Sequence, residues 1–256
     1  MLNRLPINPE QLLAWVVPDV SACREAAMAL VAASPSGRAV DHVRLAQEVV
    51  NSARRRAAAV GGATGAVASP VTMIPAAVAD IAAVLKIEGT MAGTVAALLD
   101  PASLDDPDRF ATDVITVVFP GAVSQALRQV GIRAGEELTK TLIRKVAGRE
   151  SVQTILRVVA RLMGWRVGQR AVLGKDVPIV GIGIGFGWNW LEVGAVGKRA
   201  IAYFTGQPIG RKQWGERVKQ VLPDRMVAKV WRSAEKQTGL PPLPPVPPAL
   251  PGPEGE

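Results

Sequence analysis

Two long stretches of this chain carry no charged side chain, and they constrain the fold more than any other feature. The first is Ala57–Ala79, 23 residues that include three glycines and two prolines. The second is Val177–Leu191, in which glycine occupies every second position from Gly181 to Gly187. Each stretch must be buried in a core or placed in a membrane, because water solvates apolar surface poorly. The density of glycine and proline favours a core over an uninterrupted membrane span.

The alternation of glycine with apolar residues in the second stretch is typical of a strand. However, glycines four residues apart, as at Gly181 and Gly185, also allow a helix to approach a neighbouring backbone closely. No second strand candidate of similar quality lies nearby in the sequence, and an isolated strand would have no partner. We therefore predict that Val177–Leu191 is helical.

The other patterns are helical as well. Apolar residues at helical spacing predict an amphipathic helix over Val40–Val60, with Arg54–Arg56 at its C-terminal end, where the helix dipole favours positive charge. Asp106 and Pro107 are typical of an N-cap followed by the first residue of a helix. Further helices are predicted over residues 10–33 with a break at Pro18, 81–99, 109–119, 122–130, 133–147 and 151–163, with two more after residue 210.

These predictions together indicate an all-α fold, a multi-helix bundle in which the two uncharged stretches form glycine-rich helical hairpins. The bundle is predicted to be one domain over residues 1–238. Residues 239–256 form a tail, since Pro241–Pro253 contains eight prolines in thirteen residues and favours disorder or polyproline II. Such a tail can bind an aromatic groove on a protein partner, or it can be a solvated segment without a binding role.

The positive charge of the chain is concentrated in one segment. The net charge is +8, and residues 138–175 hold nine basic residues and one acid, so the rest of the chain is neutral overall. This basic segment predicts contact with an anionic membrane surface, with a solvated helix face as the alternative. Nucleic acid is disfavoured, because the segment has a single aromatic residue, Trp165, and no nucleic-acid-binding motif. The candidate contacts are Lys140, Arg144, Lys145, Arg149, Arg157, Arg161, Arg166, Arg170 and Lys175.

Few residues are suited to catalysis or metal binding. The single cysteine, Cys23, excludes an intramolecular disulfide and a cysteine-cluster metal site, and the single histidine, His42, excludes a two-histidine zinc site. His42 lies on the polar side of its predicted helix and is interpreted as a surface residue. No glycine run has the spacing of a dinucleotide or phosphate loop. The sequence therefore predicts a protein that is not an enzyme and needs no metal or cofactor.

Two polar residues stand out because apolar residues surround them. A carboxylate at Asp80 must be paired with an arginine inside the bundle, exposed at a helix edge, or used as a proton or ligand site. Asn189 lies between Trp188 and Trp190 and is predicted to be a structural hydrogen-bonding residue.

The two uncharged stretches resemble the EcsC family of bacterial proteins. In Gly61–Lys86 a Gly-Gly-x-Thr-Gly stretch leads through a proline to an aspartate that opens an apolar helix. In Val177–Phe204 a proline and glycine run precedes an asparagine and a further helix. The resemblance implies an all-helical domain, but the family has no established activity, so it implies no catalytic residue. It marks as structural family-type positions Gly62, Thr64, Gly65, Asp80, Pro178, Gly181 and Asn189.

The leading hypothesis is a non-enzymatic helical protein at the cytoplasmic face of the inner membrane, bound peripherally to anionic lipid or to a membrane-associated complex. The first nine residues hold one arginine and no apolar core, so no secretory signal is expected. Two alternatives stay open. One is a soluble bundle that binds an apolar ligand such as a lipid tail, and the other is a scaffold that docks protein partners through helical faces and the proline-rich tail. The sequence does not predict the oligomeric state.

Overall fold

The computed structural model describes residues 8–35, 39–65, 70–129, 137–146, 155, 158 and 178–210. These residues belong to a compact unit, Met1–Trp214, and a second unit, Gly215–Glu256, lies outside the described residues. The predicted domain boundary near residue 238, the proline-rich tail and the two helices predicted after residue 210 therefore also lie outside them.

The fold of the described residues is all-α, as predicted. Two short strands, β1 (Glu137–Leu138) and β2 (Ile209–Gly210), pair antiparallel with Leu138 opposite Ile209. Of the helix predicted over 151–163, Ile155 and Val158 are described, and both are helical and buried. The helices are α1 (Pro9–Val16), α2 (Val20–Ala32), α3 (His42–Gly65), α4 (Pro70–Leu99), a short 3₁₀ helix (Pro101–Leu104), α5 (Pro107–Val118), α6 (Pro120–Gln129), α7 (Lys140–Val146) and α8 (Pro178–Phe204).

Short polar side chains cap the N-terminal ends of α2 and α5 by hydrogen bonds to the backbone. The carboxylate of Asp19 accepts a hydrogen bond from the backbone N–H of Ala22 at 2.9 Å at the start of α2. Asp106 does the same for α5, where it accepts from the backbone N–H of Arg109 at 3.2 Å, and Pro107 is the first helical residue. These bonds satisfy N–H groups that have no partner inside the helix. The prediction of Asp106 and Pro107 as cap and first residue is confirmed.

Helices α3, α4 and α8 form the centre of the bundle, and α8 packs most extensively against α3. The close approach depends on glycine. A Cβ atom at Gly197 would overlap the side chain of Val50 on α3. On the other side of the bundle, a Cβ atom at Gly89 would overlap the carbonyl oxygen of Val16 at the end of α1. The helix favoured for Val177–Leu191 is confirmed, since α8 runs from Pro178 to Phe204.

Several predicted helix ends are wrong. α3 continues to Gly65, so Arg54–Arg56 lie inside the helix and do not form its C-terminal end. Of the apolar residues near the start of α3, Val43 is 49% exposed and Leu45 is buried. Packing against α8 continues beyond the arginines, and this tertiary contact extends the helix past the point where local sequence favours an end.

The first residues of two other helices also differ from the predicted ones. α4 begins at Pro70, upstream of the predicted start at residue 81, because proline is tolerated at the first position of a helix. The helix predicted over 133–147 begins only at Lys140, after β1, because Thr139 caps it. The hydroxyl of Thr139 accepts a hydrogen bond from the backbone N–H of Leu142 at 3.2 Å.

One described helix segment, Val78–Leu99 in α4, is long and apolar enough to cross a membrane by length and composition alone. Within the bundle, 67% of its apolar window is buried. The core helix of a soluble protein meets the same criterion, so this segment is weak evidence for a membrane span.

Candidate functional site

Charged and hydroxyl side chains meet where α5 packs against α8 and where α4 ends close to the start of α7. We call this group the polar junction; its members are Asp100, Asp113, Lys140, Arg199 and Tyr203. Each of them contacts another member or the backbone of a neighbouring helix.

A hydrogen bond between α5 and α8 lies at the centre of the polar junction. The phenol of Tyr203 donates to Oδ1 of Asp113 at 2.6 Å, and both side chains are 0% exposed. A buried carboxylate without such a donor would be costly, because it loses its hydration without compensation. The pair therefore fixes the register between the two helices.

Arg199 lies one turn before Tyr203 on α8. Its Nε donates to the carbonyl oxygen of Val117 at 3.0 Å, in the last turn of α5. Carbonyl groups there have no partner inside the helix, and the helix dipole favours a positive charge beside them. Arg199 therefore satisfies the C-terminal end of α5.

Lys140, the first residue of α7, forms an ion pair with Asp100, the residue that follows α4. The two side chains are 12% and 21% exposed. The Lys140 ammonium also lies 5.1 Å from the ring centroid of Phe204 and 5.9 Å from that of Tyr203. A carboxylate and two aromatic rings therefore surround one cation, and each favours positive charge.

Apolar contacts hold the chain on both sides of Lys140. Leu138 in β1, Ile143 in α7 and Ile209 in β2 are all buried. Asp100 is also fixed, since its carbonyl oxygen accepts hydrogen bonds from the N–H and the hydroxyl of Ser103, each at 2.9 Å. The geometry around Lys140 is thus set by both the backbone and the core.

A second polar contact joins α3 to α8. Nδ2 of Asn189 donates to the carbonyl oxygen of Ala57 at 3.3 Å, and the side chain is buried. One turn away, Nε of Arg54 donates to the carbonyl oxygen of Trp190 at 3.3 Å, and its guanidinium lies 4.3 Å from the Trp190 ring centroid. Burial lowers the pKa of Arg54. The interpretation of Asn189 as a structural hydrogen-bonding residue agrees with this contact.

The chemistry that these side chains offer is limited by their burial. Asp113 and Tyr203 have no exposed surface, so a solute cannot reach them in this conformation. Burial raises the pKa of the Cys23 thiol to about 11, which keeps it protonated and unreactive at neutral pH. Within the described ranges, no group of three His, Cys, Asp or Glu side chains could hold a metal ion.

The structure describes the surroundings of three residues that the sequence singled out. Asp80 is 7% exposed, which removes exposure at a helix edge from the three alternatives. Lys140 is paired with Asp100, and its side chain is 12% exposed. His42 is exposed at the start of α3, as predicted.

The remaining predicted positions are only partly described. Gly62, Thr64 and Gly65 lie in the last turns of α3, and Pro178 and Gly181 lie in the first turn of α8. Arg144 and Lys145 belong to α7, and their side chains lie outside the description. The other candidate contacts lie outside the described residues: Arg149, Arg157, Arg161, Arg166, Arg170 and Lys175.

The polar junction is not among the sites that the sequence predicts. Asp113 offered one signal, because it is a charged residue directly before the mostly apolar helical run Val114–Val118. Tyr203 offered another, since it is the single tyrosine of the chain. Their pairing carried no signal, because 90 residues of sequence separate them.

Comparison of the chain with protein-family models, curated proteins and solved structures found no match. The resemblance to the EcsC family therefore stays a prediction from the two uncharged stretches, and the case for function depends on the chain's own charges and contacts.

Proposed function

We propose that this chain is a non-enzymatic helical protein that binds peripherally to an anionic membrane surface on the cytoplasmic side. The observation that carries the proposal is the charge distribution: residues 138–175 account for the whole net charge of +8. Each lysine or arginine close to an anionic bilayer contributes about 1 kcal/mol, and the contribution falls with salt. Several such residues in one segment therefore suffice for reversible binding.

The packing of the bundle favours attachment by charge over insertion. α4 contains the described segment that is apolar enough to span a membrane, and most of that segment is buried against neighbouring helices. Inserting it would require the bundle to open, with loss of the contacts around Gly89. A peripheral contact through basic side chains needs no such opening.

The ion pair of Lys140 changes the set of residues that are proposed to contact the membrane surface. Because Lys140 is paired with Asp100, the remaining eight basic residues of the segment carry the proposed contact. This assignment makes the segment downstream of α7, with Arg157 and Arg161, the place to test.

Co-sedimentation with vesicles tests the proposal. The chain is expected to bind phosphatidylglycerol vesicles at low salt, to dissociate at high salt, and to leave phosphatidylcholine vesicles unbound. Replacing Arg157 and Arg161 by glutamine should weaken binding by about 25-fold, since about 1 kcal/mol per charge is about fivefold in affinity.

The matched control is the double replacement of Arg55 and Arg56 by glutamine. Both side chains are exposed on α3, so the control removes the same charge from a different part of the chain. It should weaken binding far less. Equal losses for the two pairs, or salt-insensitive binding to neutral and anionic vesicles alike, would contradict the proposal. A copurified lipid found by extraction would favour the apolar-ligand alternative instead.

A further inference from the structure

The surroundings of Lys140 form a complete cation-binding site inside the protein. The Asp100 carboxylate is paired with the ammonium, and the rings of Phe204 and Tyr203 lie 5.1 Å and 5.9 Å from it. Asp100 follows the last residue of α4, and Phe204 is the last residue of α8. The C-terminal ends of helices carry partial negative charge, so two helix dipoles add to the attraction.

The cation in this site is the ammonium of Lys140, which lies at the start of the basic segment. Glu137–Ile143, which we call the docked segment, is held on the bundle by the β1–β2 pairing, by the buried side chains of Leu138 and Ile143, and by Lys140. The ion pair between Lys140 and Asp100 is one of these contacts, so its loss weakens the attachment of the docked segment.

We propose that Lys140 is a switch that controls whether the docked segment stays on the bundle. When Asp100 keeps its ion pair, Lys140 remains buried. When an anion with a phosphate group at a membrane surface competes for the Lys140 ammonium, the pair breaks and the docked segment is released. Lys140 then joins the other basic residues at that surface. This inference rests on the proposed membrane binding, and its first test does not.

We expect a switch because breaking the ion pair between Lys140 and Asp100 is costly when one of the two charges is left without its partner. A buried or half-buried charge that loses its partner destabilises its surroundings strongly, whereas an exposed pair contributes little. The chain offers both cases. Asp100 is 21% exposed and paired with Lys140, while Asp105 is 71% exposed and paired with Arg24.

Hydrogen exchange of the docked segment provides the first test. Asp100→Asn should raise the exchange rates of the amides that hydrogen-bond between β1 and β2 about tenfold, because these amides exchange when the segment opens locally. They are protected in the docked state by the pairing of Leu138 with Ile209 and of Glu137 with Gly210, which joins the docked segment to a strand outside it. The exchange of α8 amides should stay unchanged.

Asp105→Asn is the matched control, because it removes the same charge next to an exposed pair, and it should change these rates less than about twofold. Lys140→Met is the second variant, since it keeps the apolar stem against the rings and removes the ammonium. It should raise exchange as Asp100→Asn does, and it keeps the inference testable if Asp100→Asn folds poorly. Rates like those of the unaltered chain in Lys140→Met would overturn the switch.

The second test uses the unaltered chain with vesicles. Phosphatidylglycerol vesicles should speed the exchange of the amides that hydrogen-bond between β1 and β2, and phosphatidylcholine vesicles should not. If the variants speed exchange but the unaltered chain binds neither kind of vesicle, the proposed membrane binding is wrong. The role of the Lys140–Asp100 ion pair in holding the docked segment is then still supported. If the chain binds phosphatidylglycerol and exchange in the docked segment stays slow, the switch fails and membrane binding stands.

Discussion

The hydrogen bond between Tyr203 and Asp113 allows a sharp prediction of stability. Tyr203→Phe removes one hydroxyl and keeps the ring that packs against Phe204 and lies near Lys140. The hydroxyl donates at 2.6 Å to a carboxyl group that is 0% exposed, so its loss removes a hydrogen-bond donor from a buried acceptor. Such a loss costs about 2 kcal/mol.

Urea denaturation of the variant and the unaltered chain measures this cost directly. The free energy of unfolding should fall by about 2 kcal/mol, and the melting temperature by about 4–8 °C for a unit of this size. Thr205→Val is the control, because it removes an exposed hydroxyl bonded to Ile201 just after the same helix, and it should cost less than about 0.5 kcal/mol. A fall below about 0.5 kcal/mol for Tyr203→Phe would refute the reasoning, since the carboxylate would then not depend on this donor.

Three further predictions follow from the packing and the chain ends. Gly197→Ala should cost about 1–3 kcal/mol in urea denaturation, because its methyl group overlaps Val50, whereas Gly187→Ala, with open space around it, should gain up to about 1 kcal/mol from helix propensity. A destabilised Gly187→Ala together with a neutral Gly197→Ala would show that close packing of α3 and α8 is not what requires glycine. Cys23 should react with a disulfide reagent much more slowly in the folded chain than in guanidinium chloride, since burial raises its thiol pKa to about 11; equal rates would contradict the burial. Deleting residues 239–256 should leave the thermal melt unchanged, and a scaffold role for the tail would additionally require that the deletion lower the recovery of protein partners.

The sequence predicted the helical character of the chain well, because local signals determine it. Asp106 and Pro107 marked the start of α5, and the absence of a second strand candidate identified α8 as a helix despite its alternating glycines. The end of α3 at Gly65 depends on packing against α8, which is distant in the sequence. A pattern of single residues carries no information about those contacts.

The polar junction could not be predicted for the same reason. Asp100 looked like part of a polar connection, and Lys140 looked like one basic residue among nine. Their ion pair exists because the end of α4 and the start of α7 lie together in the fold. The sequence therefore predicted Lys140 as a contact for an anionic surface without its pairing to Asp100.

The β1–β2 pairing also has a consequence for folding kinetics. Leu138 and Ile209 are about seventy residues apart in the chain, so closing this loop costs conformational entropy before any contact forms. Helices α3, α4 and α8 contribute far more side chains to the buried core than the two strands do, and we expect their packing to form first. The two strands would then assemble late in refolding and separate early in unfolding, ahead of the central helices.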